Sequence, residues 1–169
     1  MEKILIVDDS LLHATQLKDI LKDEYDITIA RTAEEGICRA SAENFSLILL
    51  DVVMPGMDGF SLLKLLQEEL ITQSIPVIMI TSLSNAEDEQ RGFILGAVDY
   101  ITKPFNPLVV KARVNTHIKL YNYRKQVEYQ SRTDQLTGIA NRRQYDRVSL
   151  VKWKEAARLQ VPFSVCMLE

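Results

Sequence analysis

Four apolar runs in this chain each lead to a side chain suited to handling phosphate or a cation. Residues 4–7 are followed by Asp8 and Asp9, residues 47–50 by Asp51, residues 77–80 by Thr81 and Ser82, and residues 98–101 by Lys103 and Pro104. Carboxylates gathered at one place repel one another and raise a carboxyl pKa unless a cation sits among them. A hard divalent ion resolves the conflict, and magnesium favours few carboxylates, several waters and a shared oxyanion. Asp9 and Asp51 are the expected direct ligands, with Asp8 nearby or acting through water; the backbone carbonyl of Val53 can add an uncharged oxygen. Lys103 brings a mobile positive charge, and the Thr81 hydroxyl can donate a hydrogen bond to a new oxyanion. Such a set suits phosphoryl transfer, which depends mostly on positioning and charge neutralisation. Asp51, central among the strand ends, is the expected nucleophile, forming an aspartyl phosphate. A lone strand-end aspartate or a Lys-Pro turn would mean little; the convergence of four strand ends on one chemistry carries the reading.

Parallel strands supply that convergence, because their carboxyl ends share the sheet edge where open α/β sheets bind ligands. Residues 26–30 form a further strand candidate, and the intervening segments are long enough for crossover helices. One helix is expected over Leu11–Leu21, with Leu11, Ala14, Leu17 and Leu21 as its apolar stripe, and another over residues 60–70. Thr32 and Glu35 make a capping box ahead of Ala33, Gly36, Ile37 and Ala40, and Ser84 with Glu87 repeats the signal before Phe93 and Ile94. Pro107 opens a fifth helix. The sum is an α/β fold, a five-stranded parallel sheet with helices on both faces.

The fifth helix runs on, since neither glycine nor proline occurs between Leu108 and Arg132. Val110, Val114, Ile118 and Tyr121 have packing spacing, but the same positions then become Lys125 and Glu128, so a coiled coil is weak by pattern. The expected organisation is a first domain at residues 1–122, a helical connector at 123–133 and a second unit at 134–169. In that unit Gly138 marks a turn, Tyr145, Val148, Leu150, Val151 and Trp153 follow a helix, and residues 163–168 read as a strand before Glu169. One or two helices and one strand cannot complete a core. The segment therefore reads as the incomplete start of a second α/β domain.

A length of 169 residues fits one domain and part of another, and a net charge of -3 disfavours a nucleic-acid partner. Two cysteines, Cys38 and Cys166, have no metal-ligand spacing and read as small core fillers in a reducing, cytoplasmic setting. Neither a signal peptide nor a membrane-spanning run is expected. His13 and His117 read as surface or packing residues, and Arg142 with Arg143 as a solvated face.

The runs "ILIVDDS", "LILLDVVMPGMDGF", "PVIMITS" and "GAVDYITKPF" occur in order, and over roughly residues 2–122 the chain resembles the receiver domain of bacterial two-component response regulators. The resemblance implies a flavodoxin-like receiver fold and a magnesium cofactor. It matches Asp8 and Asp9 to the acidic pair, Asp51 to the phosphoacceptor, Thr81 to the switch hydroxyl, Lys103 to the site lysine and Tyr100 to the switch aromatic. It also implies a histidine kinase or phosphotransfer protein as phosphoryl donor. The stretch "DQLTGIANRRQYD" resembles the opening of a GGDEF diguanylate cyclase domain, with Glu169 at the place of its first metal carboxylate, where aspartate is commoner. The signature turn and guanine-binding residues are absent from the sequence, so this chain is not expected to make cyclic di-GMP. GTP belongs only to a complete parent, for which a homodimer through the receiver and connector helix is expected.

Three other readings compete. A scaffold or dimerisation receiver that is never phosphorylated has no use for Asp51, Thr81 and Lys103 together. A transcription factor would need a helix-turn-helix, and "LTGIANRR" leads into no basic recognition helix. A haloacid dehalogenase-type hydrolase wants Asp-x-Asp at its first strand, where this chain has Asp8-Asp9.

Overall fold

The structure is a computed structural model that describes residues 1–82, 86–132 and 142–164. In chain order the elements are β1 (Lys3–Val7), α1 (Leu11–Leu21), β2 (Asp26–Ala30), α2 (Ala33–Ala42), β3 (Leu47–Asp51), α3 (Gly59–Glu68), β4 (Val77–Thr81), α4 (Ala86–Ile94), β5 (Asp99–Thr102), α5 (Pro107–Arg132) and α6 (Arg142–Leu159). By compactness the chain divides into Met1–Asn122 and Tyr123–Glu169.

In the first unit the five strands are parallel, in the order β2-β1-β3-β4-β5. The apolar runs of β1, β3 and β4 are continuous because both faces of these strands are covered. Their side chains alternate between two cores. Leu5, Val7, Ile48, Leu50, Val77 and Met79 meet Ala33, Ala40, Leu62, Leu63 and Leu66 from α2 and α3. Ile4, Ile6, Leu47, Leu49, Ile78 and Ile80 meet Ala14, Leu17 and Leu21 of α1 and Val110, Val114 and Ile118 of α5.

Side chains close the helix starts as local chemistry requires. Ser10 Oγ accepts from the His13 N–H at 3.4 Å, Thr32 Oγ1 from Glu35 N–H at 3.2 Å, and Asp58 Oδ1 from Ser61 N–H at 2.7 Å. Glu35 reaches back to the Arg31 N–H rather than that of Thr32, so the box closes one residue earlier than the motif suggests. Asn106 Oδ1 accepts from the N–H groups of Leu108 and Val109, with Pro107 at the first helical position. Ser84, expected to cap α4, lies outside the described residues.

Some sequence expectations are corrected. Leu11 is exposed, so the buried stripe of α1 is Ala14, Leu17 and Leu21. Cys38 is also exposed, because it faces away from the side of α2 that buries Gly36 and Ala40. α3 stops at Glu68, short of Leu70. The helix expected through Tyr145, Val148, Leu150, Val151 and Trp153 is present as α6, with these residues exposed and Ala156 buried. α6 ends with Gln160 at φ 51° and a Val161 N–H to Ala156 carbonyl bond of 3.1 Å, a left-handed helix stop. The expected strand at 163–168 starts among residues without regular structure, and its remainder lies outside the described residues, as do Gly138, Cys166 and Glu169.

Asp99 ties β5 to α5. Its carboxylate accepts from the Tyr100 N–H at 2.8 Å and from Arg113, and its Oδ2 is 3.0 Å from His117 Nε2. Burial pushes this carboxyl upward, but the bonds from Arg113, Tyr100 and His117 outweigh it and hold the pKa below the usual range. A depressed pKa gives stability that is present above the unfolded value, about 4, and lost as pH falls through the folded value. Asp99→Asn is therefore expected to lower the melting temperature at pH 7 by a few degrees. Thermal unfolding across pH should show the gap to wild type closing below about pH 4; a gap independent of pH would contradict the ionic account.

Candidate functional site

The sheet order reverses between β1 and β3, and the crevice at their carboxyl ends is where open α/β sheets bind ligands. Register places Val7 beside Leu50, Asp51 beside Ile80 and Thr81 beside Thr102. Asp8 thus follows β1, Asp51 ends β3, Thr81 ends β4 and Lys103 follows β5. The Lys103 N–H bonds to the Thr81 carbonyl at 2.8 Å, so the β4 and β5 ends are locked together.

Asp8, Asp9 and Asp51 each offer a carboxylate oxygen, and these oxygens lie within 4.8 Å of one another. Asp8 and Asp51 are buried, and Asp9 is half-buried. Lys103 Nζ donates to Asp51 Oδ1 at 3.0 Å and sits 3.4 Å from Asp8 Oδ2. Burial pushes the Asp51 carboxyl above its ordinary range; Lys103 draws it back, and the charges of Asp8 and Asp9 push it up again. One lysine set against three carboxylates leaves an excess of negative charge, which a divalent cation would neutralise. The donor set is all oxygen, as a hard cation requires.

Val53 lies in the loop two residues after Asp51, with its side chain exposed. Thr81 is buried at the end of β4. Tyr100 is buried away from the carboxylates, in the core on the α2 and α3 side of the sheet. Its hydroxyl donates to the Glu89 carbonyl at 3.2 Å and its ring meets Phe93 edge-on at 5.1 Å. Room for the ring comes from Gly92, where a Cβ would lie 1.7 Å from Tyr100 Oη.

Three supporting residues escaped sequence reasoning. The Ser10 N–H donates to Asp8 Oδ1 at 2.8 Å, and Arg31 Nε donates to the Asp9 carbonyl at 3.0 Å. Ser10 was legible in principle as an Asp-x-Ser turn; the Arg31 contact spans 22 residues and has no local signal. Gly59 is the third. A Cβ there would fall 2.2 Å from the Asp51 carbonyl oxygen and 2.9 Å from Val52 Cα, backbone atoms that cannot step aside, while the Gly59 N–H donates to the Val52 carbonyl at 2.9 Å. Gly59→Ala is expected to cost about 2 kcal/mol through overpacking and to displace Asp51. Urea unfolding of the variant measures this, and an unchanged midpoint would show that the start of α3 can shift freely.

A doubly wound parallel sheet with an acidic, lysine-bearing crevice at its switch point defines the CheY-like receiver fold. The chain belongs to the response regulator receiver domain family, whose model matches residues 4–115. It is 41% identical over 116 residues to a protein named probable cyclic di-GMP phosphodiesterase from Vibrio cholerae, a match covering 69% of this chain and 26% of that protein. It is 42% identical over 118 residues to the transcriptional regulatory protein YvrH of Bacillus subtilis, covering 69% of this chain and 48% of the relative. The chain thus spans half or less of the length of these two relatives. A crystal structure of a CheY-like receiver domain protein from Methanospirillum hungatei superposes with a TM-score of 0.69 at 30% identity, covering 73% of this chain and 98% of that one. Among the described residues no helix is long and apolar enough to cross a membrane.

Proposed function

We propose that this chain is a phosphorylation switch in which Asp51 accepts a phosphoryl group from a histidine kinase or phosphotransfer protein. The observation that carries this reading is the Lys103 ammonium 3.0 Å from Asp51 Oδ1, with Asp8 and Asp9 beside them at the sheet edge. An Asp51 oxygen forms the new bond to phosphorus as the phosphorus–nitrogen bond of the donor phosphohistidine breaks, and the leaving imidazole keeps the electron pair and takes up a proton. Lys103 follows the charge onto the phosphoryl oxygens, and the Thr81 hydroxyl supplies a hydrogen bond to one of them. Asp9 and Asp51, with the Val53 carbonyl and Asp8 directly or through water, would hold magnesium. When bound, that ion neutralises the carboxylates and the incoming phosphate.

Tyr100 is the proposed reporter of this change. Its ring lies between β5 and α4, and its backbone shares Asp99 with α5, so a move of the ring is felt at α5. Leu120, Tyr123 and Val127 are exposed on that helix at spacings of three and four residues. Their positions support pairing of two copies through α5, with residues 123–133 as connector. For residues 134–169, the motif "DQLTGIANRRQYD" supports a diguanylate cyclase output, whose GTP chemistry would require the complete domain. A cytoplasmic location fits this role, and neither nucleic acid nor membrane enters it.

Intact mass after incubation with magnesium and acetyl phosphate tests the switch, and sedimentation of the same samples tests pairing. A gain of one phosphoryl group with a shift toward dimer is expected. Dimerisation without any phosphoryl gain would favour the scaffold reading. For the output, cyclic di-GMP formation by a chain extended through a complete cyclase domain is the measurement.

A further inference from the structure

His13 was expected on the first helix close to the carboxylates, as a surface or packing residue; the fold sets its ring against the acidic crevice. His13 lies on the first turn of α1, where its N–H is tied to Ser10 Oγ and its ring meets Phe105 edge-on at 6.1 Å between centroids. Its Nδ1 points at Asp8 Oδ2 across 3.7 Å, and both atoms are buried without a hydrogen-bond partner. A bare Nδ1 would set a lone pair against a buried carboxylate oxygen. A ring carrying a proton on Nδ1 sets a donor there instead, and a closure of a few tenths of an ångström makes the bond.

Resting on the proposed phosphorylation of Asp51, we infer that His13 is a positioning residue that holds Asp8 when Lys103 leaves it. In the resting arrangement Lys103 Nζ is shared between Asp51 Oδ1 at 3.0 Å and Asp8 Oδ2 at 3.4 Å. The Ser10 N–H occupies the other Asp8 oxygen, Oδ1. A phosphoryl group on Asp51 draws Lys103 outward, so Oδ2 of a fully buried carboxylate loses the lysine contact. His13 Nδ1–H is the donor placed to take over. The carboxylate then keeps the orientation that serves the cation and the phosphoryl group. Leaving a buried charged acceptor unsatisfied is costly, which makes the substitution visible in rate.

Two variants separate this role from packing. His13→Leu keeps the bulk and loses the donor, whereas His13→Asn loses bulk but puts an amide N–H where Nδ1 stood. Phosphoryl incorporation from acetyl phosphate at saturating magnesium is expected to fall about tenfold in His13→Leu, and to be largely rescued in His13→Asn. The magnesium-induced rise in melting temperature should follow the same order. Imidazole nitrogen shifts of wild type should show His13 with its proton on Nδ1. The reverse order, with leucine tolerated and asparagine damaging, assigns His13 to packing and overturns the inference, as does equality of all three proteins. A wild type that gains no phosphoryl group and shows no magnesium-dependent stabilisation overturns the proposed function itself, and this inference with it.

Discussion

Asp51→Asn is expected to abolish phosphoryl incorporation while making the magnesium-free protein more stable at neutral pH. The two effects have one cause. Burial at the end of β3 pushes the Asp51 carboxyl up, and although Lys103 opposes this, Asp8 and Asp9 add to it. A raised carboxyl pKa means that ionised Asp51 opposes folding: the cost is absent below the unfolded value, about 3.9, and fully present once pH exceeds the folded one. Asparagine keeps an oxygen for Lys103 and removes the charge, so the variant should melt a few degrees higher at pH 7 and converge with wild type in acid. Magnesium should reverse the ranking, since it stabilises only the protein that binds it, by about 2.7 kcal/mol at a hundredfold excess over its dissociation constant. Melting curves of both proteins with and without magnesium check the crossing. Curves that keep the same order in both conditions would remove Asp51 from the cation site.

Lys103→Met is expected to be the most damaging substitution to stability at the site. The lysine is the cation contacting both Asp8 and Asp51, and its side chain is only 15% exposed. Removing one partner of a buried ion pair leaves charge uncompensated and costs about 3 kcal/mol or more. Phosphoryl incorporation should fall by about a hundredfold, the usual effect of losing one preorganised donor to a developing oxyanion. Urea unfolding of the single and double variants tests the electrostatic origin. Lys103→Met should cost clearly less in the Asp51→Asn background, because one of the stranded charges is then gone. Additive costs would show that the lysine stem, rather than its charge, holds the β5 end in place.

Much of this architecture could be read from local pattern. Short apolar runs, capping residues and Pro107 placed the five strands and the helices around them to within a residue or two, because local hydrophobic pattern and orphan N–H groups act over a few neighbours. Leu11 and Cys38 were misread because an apolar or small side chain at helical spacing does not say where the neighbouring sheet ends. Asp8, Asp9, Asp51, Thr81 and Lys103 were visible as candidates because each stands just after an apolar run, at a strand end.

Local residue order sets which side-chain types stand at each strand end, and with them the kind of chemistry on offer. Strand order was decided by the tertiary structure: β3 beside β1 brings Asp51 to Asp8 and opens the crevice. Only the packed structure could show that Gly59 clears the Asp51 carbonyl, that Arg31 steadies the Asp9 backbone, and that Gly92 makes room for Tyr100. The same holds for His13, whose ring meets Asp8 because of how α1 packs on the sheet. The reason is physical. Periodicity and capping report on atoms a turn apart, whereas these contacts depend on angles and distances set only when both cores are filled.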